Sequence, residues 1–214
     1  MGLQARMGGR RVAPWVHGIG GALLLAPLAL GLRDALLDRL GANPVEALSH
    51  LTGDWALRTL LLCLAVTPAR RWLGLARLAP YRRTLGLVAY TYAVCHVAVY
   101  LVFDLGLDLS ALLDDVRLRP YLTVGFLAFM ALTPLALTST RGWRKRLRRR
   151  WIALHRLVYL AAGLALVHFA WQVKADFQEP AGYAAILALL LVARCPWRRG
   201  ALPPRAGSAP PTDG

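Results

Sequence analysis

Four of the five histidines in this chain lie inside apolar runs: His17, His96, His155 and His168. Burying an imidazole in hydrocarbon is costly, so an ionisable side chain inside a membrane span is a functional candidate by default. Depth follows from the nearest charged border at ~1.5 Å per residue. His96 lies eight residues before Asp104, roughly 12 Å in. His168 lies six before Lys174, roughly 9 Å in. Two imidazoles are thereby expected on neighbouring helices at similar height. His155, five residues after Arg150, is roughly 7 Å from the opposite border, and His17 has a similar depth on that side. Two neutral imidazoles that face each other can hold one iron axially, and a six-coordinate bis-histidine haem suits electron transfer because it leaves no position for oxygen. The competing reading is that each histidine only hydrogen-bonds within the bundle, or lines a path for protons or metal. His50 sits near a loop and reads as an ordinary polar residue.

His155 and His168 share one run, Trp151 to Gln172, long enough to cross a hydrocarbon core of roughly 30 Å. They are 13 residues apart, so on an ideal helix they diverge by about 140°. Either a π-bulge near Gly163 adds a residue, or the two face different neighbours. The second option sets His168 toward the span that carries His96, and His155 toward another helix such as the first span with His17.

The chain is 57% hydrophobic over 214 residues, with mean hydropathy +0.46. A soluble domain of this length is not usually so apolar. The net charge of +15 sits in short clusters between apolar runs, which excludes a basic nucleic-acid-binding face and indicates positive loops of a multi-span protein. Spans are expected at about 12–32, 55–67 (with a start as early as Val45 and a stop at Pro68), 84–103, 121–140 with a kink at Pro134, 151–172 and 181–193. Residues 1–11 form a basic start and 196–214 a Pro, Gly and Arg-rich tail that reads as disordered. Most of the 26 Lys and Arg lie in the N-terminus, the 68–83 loop, the 141–150 loop and the tail. The positive-inside rule then gives an all-α, six-helix transmembrane bundle with both termini cytoplasmic. The acids Asp104, Asp108, Asp114 and Asp115 fall on the other side, where they offer a docking surface. Cys63, Cys95 and Cys195 lie in or at apolar runs and read as packing, and no CxxCH is present for covalent haem attachment.

The stretches RRTLGLVAYTYAVCHVAVYLVFDLGLD, RPYLTVGFLAFMALTPLALTSTRGW, RRRWIALHRLVYLAAGLALVHFAWQVKAD and YAAILALLL closely resemble the haem-binding membrane subunits of the bacterial periplasmic protein-methionine-sulfoxide reductase system, the MsrQ family, within the ferric-reductase-like transmembrane group. The resemblance runs from about Trp15 to Arg194. It implies a multi-pass protein of the bacterial inner membrane with b-type haem, one or two per chain, and FMN. It further implies electrons drawn from the quinone pool and passed to a periplasmic, molybdopterin-containing catalytic subunit in a heterodimer that repairs oxidised methionine in proteins. Carried residue by residue, the family's haem-iron ligands fall on His96, His155 and His168, and His17 matches a histidine of the family's first span. Related ferric reductases have a second histidine on the third span, where this chain has Arg82, Arg83 and Thr84. The inner haem therefore lacks that ligand. Arg82 and Arg83 either hold an FMN phosphate or are ordinary positive-inside arginines. The chain shows no flavin or NADPH domain, so an electron is expected from quinol or a separate flavin reductase.

Two other classes compete with this electron-transfer subunit. One is a stand-alone transmembrane ferric reductase. The other is a transporter or metal-handling scaffold without haem.

Overall fold

A computed structural model describes residues 14–173 and 177–194. Residues 1–11 and the 196–214 tail therefore lie outside the described residues, as does Cys195. Among the described residues all regular structure is helical: α1 (Pro14–Leu36), α2 (Pro44–Trp72), α3 (Tyr81–Val99), α4 (Leu109–Leu118), α5 (Pro120–Leu137), α6 (Arg141–Leu147), α7 (Arg149–Leu154), α8 (Leu157–Gln172) and α9 (Gln178–Val192). Among the described residues four segments are long and apolar enough to cross a membrane: Gly18–Leu36, Tyr81–Asp104, Pro120–Leu137 and Arg149–Gln172. Helix α9 is apolar but shorter.

The second span differs most from expectation. Helix α2 runs unbroken for 29 residues, and Pro68 lies inside it instead of closing it. Its start is fixed locally. Asn43 Oδ1 accepts the Glu46 backbone N–H at 3.2 Å, and Pro44 occupies the first turn, where a missing N–H costs nothing. Pro68 cannot donate to the Leu64 carbonyl four residues earlier. The Arg194 guanidinium, just beyond α9, donates to that carbonyl instead, and its other arm donates to the Tyr159 hydroxyl at 2.7 Å. A side chain from another helix replaces the lost backbone donor, so the helix continues.

The fifth expected span is instead two helices. Around His155 the backbone tightens: Arg156 N–H bonds Ala153 O and Tyr159 N–H bonds Arg156 O, both three residues back. Helix α7 therefore ends at Leu154 and α8 begins at Leu157. No π-turn forms at Gly163; the π-turn is at Tyr100–Asp104, where α3 ends. The acidic loop after it folds into α4, whose first turn is capped by Asp108 Oδ1 on the Ser110 and Ala111 N–H groups at 2.8 and 3.3 Å.

Two helix pairs make the body. Helix α2 packs along α3, and α5 packs along α8. They meet through Leu57, Leu60, Leu61 and Leu64 of α2, Ala89 of α3, Leu132 and Leu135 of α5, and Val158, Ala161 and Ala162 of α8. Small residues on α3 and α8 let these backbones approach, as apolar solvent favours. Outward-facing Leu30, Leu62, Leu127, Val167 and Leu189 remain exposed, as a lipid-facing surface requires. The bundle has an acidic end, where α3 stops and α5 starts, and a basic end at α6 and α7.

Candidate functional site

His96 on α3 and His168 on α8 face each other across the seam between the two helix pairs. Their ring centroids are 6.2 Å apart and their planes 78° from parallel. The similar heights counted along the chain hold, and His168 faces the span that bears His96.

Each ring is fixed by the same device. His96 Nδ1 lies 3.0 Å from the Ser49 carbonyl and 3.3 Å from Thr52 Oγ1, on α2. His168 Nδ1 lies 2.7 Å from the Tyr121 carbonyl, on α5. A carbonyl only accepts, so each Nδ1 carries the proton and each Nε2 keeps its lone pair. That is the tautomer a metal needs, set by the hydrogen bond on the other ring nitrogen. The carbonyls are reachable because a glycine stands four residues after each. A Cβ built on Gly53 would lie 3.2 Å from His96 Cε1, and one on Gly125 would lie 2.8 Å from His168 Nδ1. Gly53 and Gly125 were not singled out in the sequence. The signal available was one glycine near the start of the apolar α5 and one, beside Asp54, in the polar first half of α2.

Between the histidines lies a cavity of about 560 Å³, within the range of small-molecule and cofactor sites. Leu57, Leu60, Phe126, Phe129 and Leu132 line its depth, and His50, Asp54 and Asp104 its polar mouth. Among the described residues, no group of three or more His, Cys, Asp or Glu side chains is placed to hold a metal ion. Two imidazoles leave most of a metal's coordination sphere open, and a cofactor that brings the remaining ligands fits them. They suit a flat macrocycle with two open axial positions.

The other candidates lie elsewhere. His155 ends α7 near the basic end. Its ring stacks on Trp151 with centroids 3.8 Å apart, and its Nδ1 is 3.1 Å from the Trp151 carbonyl. Trp151 is pinned in turn by Nε1 on the Thr138 carbonyl at 3.0 Å, at the end of α5. Arg82, exposed on the first turn of α3, is close enough to act on His155 electrostatically. Arg83 is exposed beside it. The backbone of His17 lies in α1, and its side chain is outside the described set. His50 is exposed, with Nε2 3.8 Å from Glu46 Oε1.

The family model described as ferric reductase like transmembrane component matches residues 52–166. The chain is 48% identical over 184 residues to the protein-methionine-sulfoxide reductase heme-binding subunit MsrQ of Xanthomonas campestris pv. campestris strain 8004, covering 83% of this chain and 84% of that one. It is 51% identical over 154 residues to the subunit of the same name from Xanthomonas euvesicatoria pv. vesicatoria strain 85-10, covering 72% and 71%. With that of Polaromonas naphthalenivorans strain CJ2 the identity is 49% over 170 residues, 78% of each.

Proposed function

Because the chain belongs to the MsrQ family of haem-binding subunits of protein-methionine-sulfoxide reductase, within the ferric-reductase-like transmembrane group, we propose that it is a membrane b-type cytochrome with His96 and His168 as axial ligands. The observation that carries this is the imidazole pair, 6.2 Å apart, each with Nδ1 fixed on a helix carbonyl. Two imidazoles bound to opposite sides of one metal, at about 2.0 Å each, put their ring centroids roughly 6 Å apart. Haem bound there would supply a one-electron centre within the bundle. The chain's own part is to hold both Nε2 lone pairs inward, wall off water with Phe126, Phe129 and Leu132, and open the cavity toward the acidic end.

The proposal extends to a path. Six helices cross the bacterial inner membrane, α2 and α9 joining the four apolar spans, with both termini in the cytoplasm. Electrons arrive from the quinone pool or a flavin reductase, and leave at the acidic end for a periplasmic, molybdenum-containing methionine sulfoxide reductase. The charge distribution supports this orientation, since Arg141, Arg144, Lys145, Arg146, Arg148, Arg149 and Arg150 gather at one end and Asp104, Asp108, Asp114 and Asp115 at the other. His155, with Arg82 and Arg83, marks the input side, as an inner haem ligand or beside the phosphate of FMN.

Removal of either axial imidazole tests the assignment. His96→Ala and His168→Ala are each expected to lower the haem content and Soret absorbance per polypeptide, or to leave a weakly bound five-coordinate haem. Full haem content with an unchanged spectrum in both variants would defeat it.

A further inference from the structure

Resting on the haem reading above, we propose that Arg119 anchors the carboxylates of the cofactor held between His96 and His168, and that Asp115 and Tyr100 position it. Next to the histidines a polar recess of about 330 Å³ is lined by His96, Tyr100, Asp115, Arg119, His168 and Gln172. It opens at the acidic end. The deep part of the neighbouring cavity is walled by leucine and phenylalanine, and it cannot solvate a carboxylate. A macrocycle bearing carboxylates turns them out of the apolar depth; the mouth at His50, Asp54 and Asp104 offers acids and no Lys or Arg, whereas this recess offers Arg119. Of the described side chains lining it, Arg119 is the sole permanent cation; Asp104 and Asp115 are its acids.

Three features hold Arg119 there. Its backbone is both the end of α4 and the start of α5, and Pro120 after it keeps it extended at φ −119°, ψ 87°. Its Nε lies 3.3 Å from Asp115 Oδ1. The other oxygen of Asp115 accepts from the Tyr100 hydroxyl at 2.7 Å. Both oxygens of Asp115 are thus occupied, and its side chain is only 20% exposed. Tyr100 opens the π-turn that ends α3, a backbone feature often found at functional sites. A guanidinium carries five donors in a planar fork. Bonds to Asp115 and to the Tyr121 hydroxyl leave other donors for a second carboxylate.

The electrostatic consequence has a sign. Ferric haem carries one more positive charge than ferrous haem. Removing Arg119 leaves Asp115 and the cofactor carboxylates uncompensated, which favours the ferric state. Removing the Asp115 charge does the opposite.

The experiment is spectroelectrochemical titration of the purified holoprotein, with haem transfer to a scavenger protein measured in parallel. In Arg119→Gln the midpoint potential is expected to fall and haem loss to speed up roughly tenfold. Arg119→Lys should restore most of the potential, and Asp115→Asn should raise it. All three should keep the low-spin spectrum, since neither axial ligand is touched. Unchanged potential and loss rate in Arg119→Gln would overturn the inference while leaving the bis-histidine site standing. So would shifts of the same sign in Arg119→Gln and Asp115→Asn, which would mean a merely structural role. A wild-type protein without low-spin haem would bring down the haem reading itself, and this inference with it.

Discussion

At the residue scale the site rests on two histidines and two glycines. The histidines were legible in the sequence, because an imidazole in an apolar run has few structural uses and its depth can be counted. The glycines were not. Their role depends on which helix faces which, and no local pattern encodes that a ring from α3 reaches the backbone of α2. The same holds for the carbonyls of Ser49 and Tyr121, which every residue possesses. Gly125→Ala tests the arrangement most sharply, because its Cβ would come 2.8 Å from His168 Nδ1. The ring must move, and haem affinity is expected to fall about 10- to 100-fold, the usual cost of disturbing a partner behind a ligand. Gly53→Ala should do less, since its Cβ stops 3.2 Å from His96 Cε1. Haem titration of the apoproteins measures both.

At the element scale the apolar runs located the helices, while their ends escaped. Pro68 reads as a stop signal, yet α2 passes through it because Arg194, far along the chain, supplies the donor that Leu64 O lacks. A proline rule is local, and its exception here is tertiary. Arg194→Gln should lower stability by about 1–3 kcal/mol, the cost of orphaning a buried carbonyl. In a Pro68→Ala background the same change should cost less, because the new Ala N–H reaches Leu64 O. Thermal unfolding of the four proteins in detergent gives the coupling. The 13-residue spacing of His155 and His168 was informative in the same way: it called for either a bulge or separate neighbours. The structure takes neither route: the turn tightens at His155, no π-turn forms at Gly163, and both rings lie against α3 and α5, His168 by His96 and the Tyr121 carbonyl and His155 by Arg82 and the Leu135 carbonyl.

Helix α4 went unread because its ten residues follow a glycine-containing acidic loop, and only the Asp108 cap marks it. Hydrogen bonds from Ser110 and Ala111 hold the Asp108 carboxyl below its usual 3.8. A depressed carboxylate contributes stability above the unfolded-state pKa and loses it as pH falls through the lower folded value. The first turn of α4 should therefore lose amide protection below about pH 3.8 and keep it at neutral pH, as hydrogen exchange would register.

At the scale of the whole molecule, charge and hydropathy describe a polarised bundle with an acidic and a basic end. Six spans follow if α2 and α9 cross beside the four apolar segments. Helix α2 carries Asp54 and Arg58, which offset each other at 3.4 Å, while Arg58 Nε also donates to the Tyr183 hydroxyl of α9 at 2.8 Å. Paired in this way, the charges are tolerable within a protein-facing span. Single cysteines placed at Gly142 and Gly106 should label from opposite sides of inner-membrane vesicles. Labelling from the same side would refute the topology.

The central claim is that one iron sits between His96 and His168. Electron paramagnetic resonance of the ferric protein tests it most directly. The wild type should give a low-spin bis-imidazole signal that disappears in both His96→Ala and His168→Ala and survives in His155→Ala. A low-spin signal persisting in the His96→Ala, His168→Ala double variant, or lost in His155→Ala alone, would contradict it.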